Sequence, residues 1–190
     1  MAETILYEAN QDAMEEDEAA MLKAAQDSLA GFKQLYLQWL APVYRYFYFR
    51  TGNIKDAEDL TSQVFLKIYE ELPHYRNRGR FSAWLFTIVR NKTVDFFRTA
   101  GREESLDIID PVGGSYDLLA QAVHSDEIQR LNRLIRSLPD EEQELIRLRF
   151  VANLGYRDIG EVLGRKEDAV RKTISRLLAR LQSQLEAGHE

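Results

Sequence analysis

The sequence contains no cysteine, three histidines and four prolines in 190 residues. Without cysteine there is no disulfide framework, no thiolate metal ligand and no thiol nucleophile. His74, His124 and His189 stand far apart in the chain, so zinc or cysteine enzyme chemistry lacks its ligands and its nucleophile. No metal site, cofactor or catalytic residue is expected. No apolar run approaches the roughly 18 residues of a membrane span, and the first residues are acidic where a secretory signal is basic. These absences predict a cytoplasmic protein with no membrane insertion. Alternation with period two is also missing, which leaves no sheet to build; helical periodicity dominates and the fold class is all-α.

The formal net charge of -6 conceals a strong segregation. Residues 1–30 hold eight acids against one lysine, and residues 103–127 hold seven acids with no lysine or arginine. Between them, residues 74–102 carry seven bases against the single acid Asp95, and residues 165–180 carry six bases against Glu167 and Asp168. A phosphate backbone responds to the local field rather than to the sum, so an acidic protein with two basic blocks remains a candidate for nucleic-acid binding.

Glycine and proline divide the chain. Helices are expected at about 18–26 and 29–50, the second carrying Phe32, Leu35, Tyr36, Trp39, Leu40, Val43, Tyr44 and Phe47 on one face and kinked or divided at Pro42. A turn at Gly52 and Asn53 leads to a helix over 55–72, with the apolar stripe Leu60, Val64, Leu66, Ile68 and Leu72, stopped by Pro73. After the loop HYRNRGR comes a helix over 82–100, with Phe81, Trp84, Leu85, Ile88, Val89 and Phe96 as core. Residues 101–124, with Pro111, Gly113 and Gly114, read as an acidic linker. The expected organisation is a tail over 1–17, a helical bundle over 18–100, the linker, and a second helical unit over 125–190. In that unit, helices are expected at 126–137, 141–152, 156–163 and 167–185.

The last two helices have helix-turn-helix dimensions, with a turn at Gly164 and a close approach at Gly160. Val170, Ile174, Leu177, Leu178 and Leu181 form the expected buried side. The opposite side and the turn offer Arg165, Lys166, Arg171, Lys172, Ser175 and Arg176 to a major groove. The earlier basic block is another kind of surface: Arg76, Arg78 and Arg80 can follow a phosphate backbone, Tyr75 can stack on a base, and Asn91, Val94 and Arg98 share one helix face. Asn91 can pair with a base edge, which suits unstacked single strands as well as duplex.

Two stretches carry a family resemblance: DAEDLTSQVFLKIYEELPHYRNRGRFSAWLFTIVRNKTVDFFR (56–98), and LIRSLPDEEQELIRLRFVANLGYRDIGEVLG (134–164) followed by AVRKTISRLLARL (169–181). They resemble the bacterial sigma factors, specifically the small two-domain extracytoplasmic-function class. The resemblance implies a transcription initiation factor that binds core RNA polymerase, directs it to promoter DNA and assists opening, with an anti-sigma factor as a further partner. It implies that Asp56, Glu58, Asp59, Gln63 and Lys67 contact polymerase, and that the loop 75–80 with Asn91, Val94 and Arg98 captures the opened minus-ten element. It also implies that the helix from Glu167 reads the minus-thirty-five element. The chain departs from the family pattern at Gly160, at Asp168-Ala169 and at Thr173, so the role is implied and the promoter bases are not. The rival is a stand-alone helix-turn-helix regulator with a sensor or dimerisation bundle, which has no use for an arginine-rich loop beside an amide-bearing helix. The sequence also raises an electrostatic expectation, that the acidic linker folds back on the basic block.

Overall fold

The first two helix junctions are each set by a local polar bond. The computed structural model describes residues 18–76, 80–100 and 129–187; all its regular elements are helical. Helix α1 (18–27) is separated from α2 (Leu29–Thr51) by Ser28, whose backbone is extended and whose side-chain oxygen accepts the Gly31 N–H at 3.0 Å. A side chain at Gly31 would strike the backbone carbonyl of Ala24, so only glycine lets α1 fold back this tightly. Gly52 ends α2 in the left-handed region (φ 64°), and Asn53 caps α3 (Ile54–Glu71) by accepting the Asp56 N–H at 3.0 Å. A 3-10 turn over Leu72–His74 leads toward α4 (Phe81–Ala100). From α1, the Gln26 amide donates to the carbonyls of Leu72 and Tyr75, and the Glu18 carboxylate accepts the Phe81 N–H at 2.8 Å. Helix α1 therefore ties down both edges of the arginine-rich loop.

In the second half, α5 (129–136) precedes α6 (Asp140–Ile146), which continues as a π-helical segment, Arg147–Val151. Helix α7 (Tyr156–Leu163) turns through Gly164 (φ 65°) into α8 (Glu167–Glu186). A Cβ on Gly160 would lie 2.6 Å from the Arg165 carbonyl, which explains the small residue at the close approach.

The two halves share one core. Leu35, Val43, Tyr46 and Phe47 of α2 pack with Val64 and Ile68 of α3 and with Leu85, Phe86 and Val89 of α4; Leu145, Leu148, Leu154, Ile159, Val170 and Ile174 of the second half join the same cluster. Each such fully buried side chain contributes about 1.5–3 kcal/mol of transfer free energy. Helix α4 packs on α7, and α2 packs on the π-helical segment. Leu138, Ile146, Leu177 and Leu181 make a smaller cluster under α5.

Four expectations change. Helix α2 runs unbroken through Pro42, because the carbonyl that loses its partner belongs to Gln38 on the exposed side, where water reaches it. Leu66 is 61% exposed rather than core, since it lies about 170° round α3 from the centre of the buried stripe. Leu178 stands at the edge of its stripe and is 41% exposed, with only Val170, Ile174, Leu177 and Leu181 buried. The helix expected over 141–152 also becomes π-helical in its last turn.

Candidate protein and nucleic-acid interfaces

Helix α3 turns its polar face outward. Glu58, Asp59, Gln63 and Lys67 are exposed and Asp56 is half-buried at the capped end. Lys67 pairs with Glu71 at 3.6 Å, both largely in solvent, a pairing worth about 0.3–0.5 kcal/mol at most. Leu66 and Tyr69 are exposed on this side as well, so the face combines charge with apolar area. Sequence reasoning missed Leu66 as a surface residue; its angle relative to Asp59 and Gln63, both within about 60°, carried the signal.

A groove of about 380 Å3 joins this face to α4, with Gln63 and Leu66 on one wall and Asn91 and Asp95 on the other. On α4, Thr87, Asn91, Val94 and Arg98 form one exposed stripe, while Phe81, Leu85, Val89 and Thr93 are buried. Arg98 is held by Asp95 at 2.8 Å. Arg76 is exposed, and Arg78 lies outside the described residues. Tyr75 is half-buried, its ring 4.6 Å from Trp84 and 5.8 Å from Phe81. Burial, with Glu18 and Glu161 nearby, pushes its hydroxyl up to about 12. Arg80 is half-buried, with its Nε 3.6 Å from Asp158 Oδ1.

The helix-turn-helix is formed by α7 and α8. Lys172, Ser175 and Arg176 are exposed opposite the buried Val170, Ile174, Leu177 and Leu181. Arg171 is exposed but pairs with Glu167 at 2.6 Å, and its guanidinium lies 5.4 Å from the Tyr156 ring centre. Lys166 is exposed at the start of α8. Arg165 is half-buried and donates to Thr173 Oγ1 at 3.0 Å, so it braces the turn. Asp168 is exposed in the first turn, and α8 has no side-chain cap.

Between the halves runs a polar seam. The buried Tyr46 hydroxyl donates to Glu144 Oε1 at 2.7 Å, and Glu144 Oε2 accepts from Arg147 Nε at 3.1 Å. Arg90 Nε stands 3.8 Å from the same carboxylate. Burial, then Glu144, push the Tyr46 hydroxyl well above the ordinary range. Burial also raises the Asp158 carboxyl, against the opposing pull of Ser82, Arg80 and the Gly155 N–H.

Two family models match this chain, Sigma-70 region 2 over residues 35–103 and Sigma-70 region 4 over residues 128–181. The chain is 32% identical over 188 residues to the ECF RNA polymerase sigma factor BldN of Streptomyces coelicolor, covering 87% of this chain and 69% of that protein. It is 33% identical over 153 residues to SigD of Mycobacterium tuberculosis, covering 76% and 72%. The chain belongs to the ECF RNA polymerase sigma factors. Among solved structures, the sigma factor RpoE bound to the anti-sigma factor NepR, from Bartonella quintana, aligns with a TM-score of 0.61 at 25% identity, covering 82% of this chain and 96% of that one.

As a sigma factor, the protein is a transcription initiation factor that directs RNA polymerase, and the stand-alone regulator is not favoured. Among the described residues no helix is long and apolar enough to cross a membrane. The region 2 match begins within α2 and takes in α3 and α4, and the region 4 match takes in α5 to α7 and most of α8. The seam was missed. Tyr46 lies three residues beyond Val43 on the same helix face, and Glu144 sits beside Leu145 and Ile146; only those positions hinted at burial.

Proposed function

We propose that this sigma factor recognises promoters through three surfaces in two domains, residues 18–100 and 125–190, with a tail over 1–17 and a linker over 101–124. The interval between the two family matches, residues 104–127, supports that linker. Asp56, Glu58, Asp59, Gln63 and Lys67 dock on polymerase, with Leu66 supplying apolar contact. The loop from Tyr75 to Arg80 and the stripe of Asn91, Val94 and Arg98 capture the opened minus-ten strand. Helix α8 reads the minus-thirty-five element with Lys172, Ser175 and Arg176, assisted by Arg171, while Lys166 meets phosphate and Arg165 holds the turn.

The observation that carries this reading is the two-sided build of α8, apolar toward the core and basic toward solvent. The face is laid out for a groove, and the exposed α3 face with its mixed charge and leucine is laid out for a protein. The partners are core polymerase, promoter DNA and, by analogy with the RpoE–NepR complex, an anti-sigma factor. The protein performs no covalent chemistry and works in the cytoplasm beside its polymerase.

Transcription of a promoter library by polymerase carrying Lys172→Ala or Arg176→Ala tests the assignment. A base contact relaxes preference at one position by about 1–3 kcal/mol, whereas a phosphate contact weakens all promoters alike. Wild-type strength and preference in both variants would show that α8 does not face the groove.

A further inference from the structure

The second residue of α8 is an acid that the rest of the protein leaves unengaged. Glu167 before it is taken by Arg171 at 2.6 Å, and the Arg171 guanidinium lies over the Tyr156 ring. Asp168 is exposed, and its carboxylate makes no hydrogen bond or ion pair among the described residues, not even with Lys172 one turn on. It does not cap the helix either: Lys166 holds the cap position, and no side chain bonds the first N–H groups.

At about 100° per residue, Asp168 stands about 40° from Lys172, about 20° from Ser175 and about 150° from the centre of the buried stripe of α8. It therefore heads the same outward row, about 6 Å along the axis before Lys172 at roughly 1.5 Å per residue. The first residues of a recognition helix are those that reach base edges in a major groove. A carboxylate in that place has a narrow choice of partner. It accepts and cannot donate, so phosphate oxygens, guanine N7 and O6, and thymine O4 all repel it. Only cytosine N4 and adenine N6 offer a proton in the major groove, and adenine sets the acceptor N7 beside its amino group. Cytosine gives a donor with no acceptor beside it on the same base.

We propose that Asp168 is a specificity-determining residue, which selects promoters with a cytosine at one position of the minus-thirty-five element by accepting from its N4 amino group and by repelling guanine there. The inference rests on the reading of α8 as the groove-facing helix. It gives the members of the row different tasks. Lys172 and Arg176 attract the phosphates of any sequence, whereas an acid at the head of the row adds no general affinity and acts only by discrimination.

Transcription by core polymerase carrying wild type, Asp168→Ala or Asp168→Asn, over a promoter library randomised across the minus-thirty-five element, tests the assignment. With wild type, cytosine should exceed guanine by about fivefold or more at one position. Asp168→Ala should bring the two bases within about twofold of each other there and keep the preferences elsewhere in the element. Asp168→Asn should move the preference at that same position to adenine, whose N6 and N7 suit an amide. An acid that served only the helix N-terminus would do none of this, since its loss would weaken every promoter in proportion. The inference is overturned if the three proteins share one base profile, or if the variants, with wild-type circular dichroism, lose output equally on all sequences. Lys172→Ala and Arg176→Ala in the same library separate the two readings. If they alter the profile while the Asp168 variants do not, α8 faces the groove and this inference alone fails. If they too leave it unchanged, the groove reading fails and takes the inference with it.

Discussion

The Tyr46 hydroxyl and the Glu144 carboxylate, 98 positions apart in sequence, form a buried 2.7 Å hydrogen bond between region 2 and region 4. A buried carboxylate is tolerated only where donors surround it, and Glu144 has Tyr46 and Arg147 bonded to it with Arg90 close by. Removing one donor leaves part of the desolvation cost uncompensated.

Tyr46→Phe should lower unfolding free energy at pH 7 by about 1–3 kcal/mol, read from the shift of the denaturant midpoint. A variant as stable as wild type would mean that the hydroxyl makes no net contribution.

The same tyrosine sets an alkaline limit. Its folded pKa is raised above the unfolded value of about 10, so the stabilisation is complete below that pH and is lost as pH rises beyond it. Tyr75, at about 12, adds to the same limb. Denaturation midpoints measured from pH 8 to 11 should fall in wild type and fall less steeply in Tyr46→Phe. Parallel curves would contradict burial of the hydroxyl.

Gly31→Ala opposes two effects of known size. Alanine gains up to about 1 kcal/mol in helix propensity, but its methyl group meets the Ala24 backbone carbonyl, which cannot swing aside as a side chain would. Overpacking of this kind costs about 1–3 kcal/mol, so a lower Tm is expected. A higher Tm would show that α1 shifts freely.

The α3 face should be separable from the DNA surfaces. Asp59→Lys, Gln63→Lys and Leu66→Glu alter exposed positions, so the fold should persist while affinity for core polymerase drops. Wild-type affinity in all three in a pull-down titration would remove α3 from the interface.

Asn91→Ala should impair opening more than initial binding. Capture of an unpaired base is worth about 1–3 kcal/mol, so permanganate reactivity at the minus-ten thymines should fall severalfold while closed-complex formation changes little. Equal losses in both steps would contradict the division between α4 and α8.

Much of this architecture is legible in the sequence because its signals are local and periodic. Val170, Ile174, Leu177 and Leu181 recur on one face, and Gly164 marks the turn where a left-handed residue is needed. Leu66 was misplaced because its apolar character outweighed its angle on the helix. The π-helical turn from Arg147 leaves no periodic trace, since one wider turn hardly disturbs the spacing of Leu145 and Leu148. The seam was illegible for a different reason. Asp158 looks like an ordinary first-turn acid that favours a helix N-terminus, and Glu144 is one acid among several; only the tertiary packing brings them to Arg80 and Tyr46. The expected return of the acidic linker falls on residues outside those described; among the described residues, Glu18 of α1 and Asp158 and Glu161 of α7 stand at the edges of the loop.

Run-off transcription with purified core polymerase over a promoter library tests the central claim most directly. The predicted result is that core polymerase alone gives no specific transcripts, and that adding this protein yields transcripts from a subset of promoters sharing bases at both minus ten and minus thirty-five. Transcription that is not stimulated, or a protein that binds those promoters without polymerase and only modulates another factor's transcripts, would contradict it.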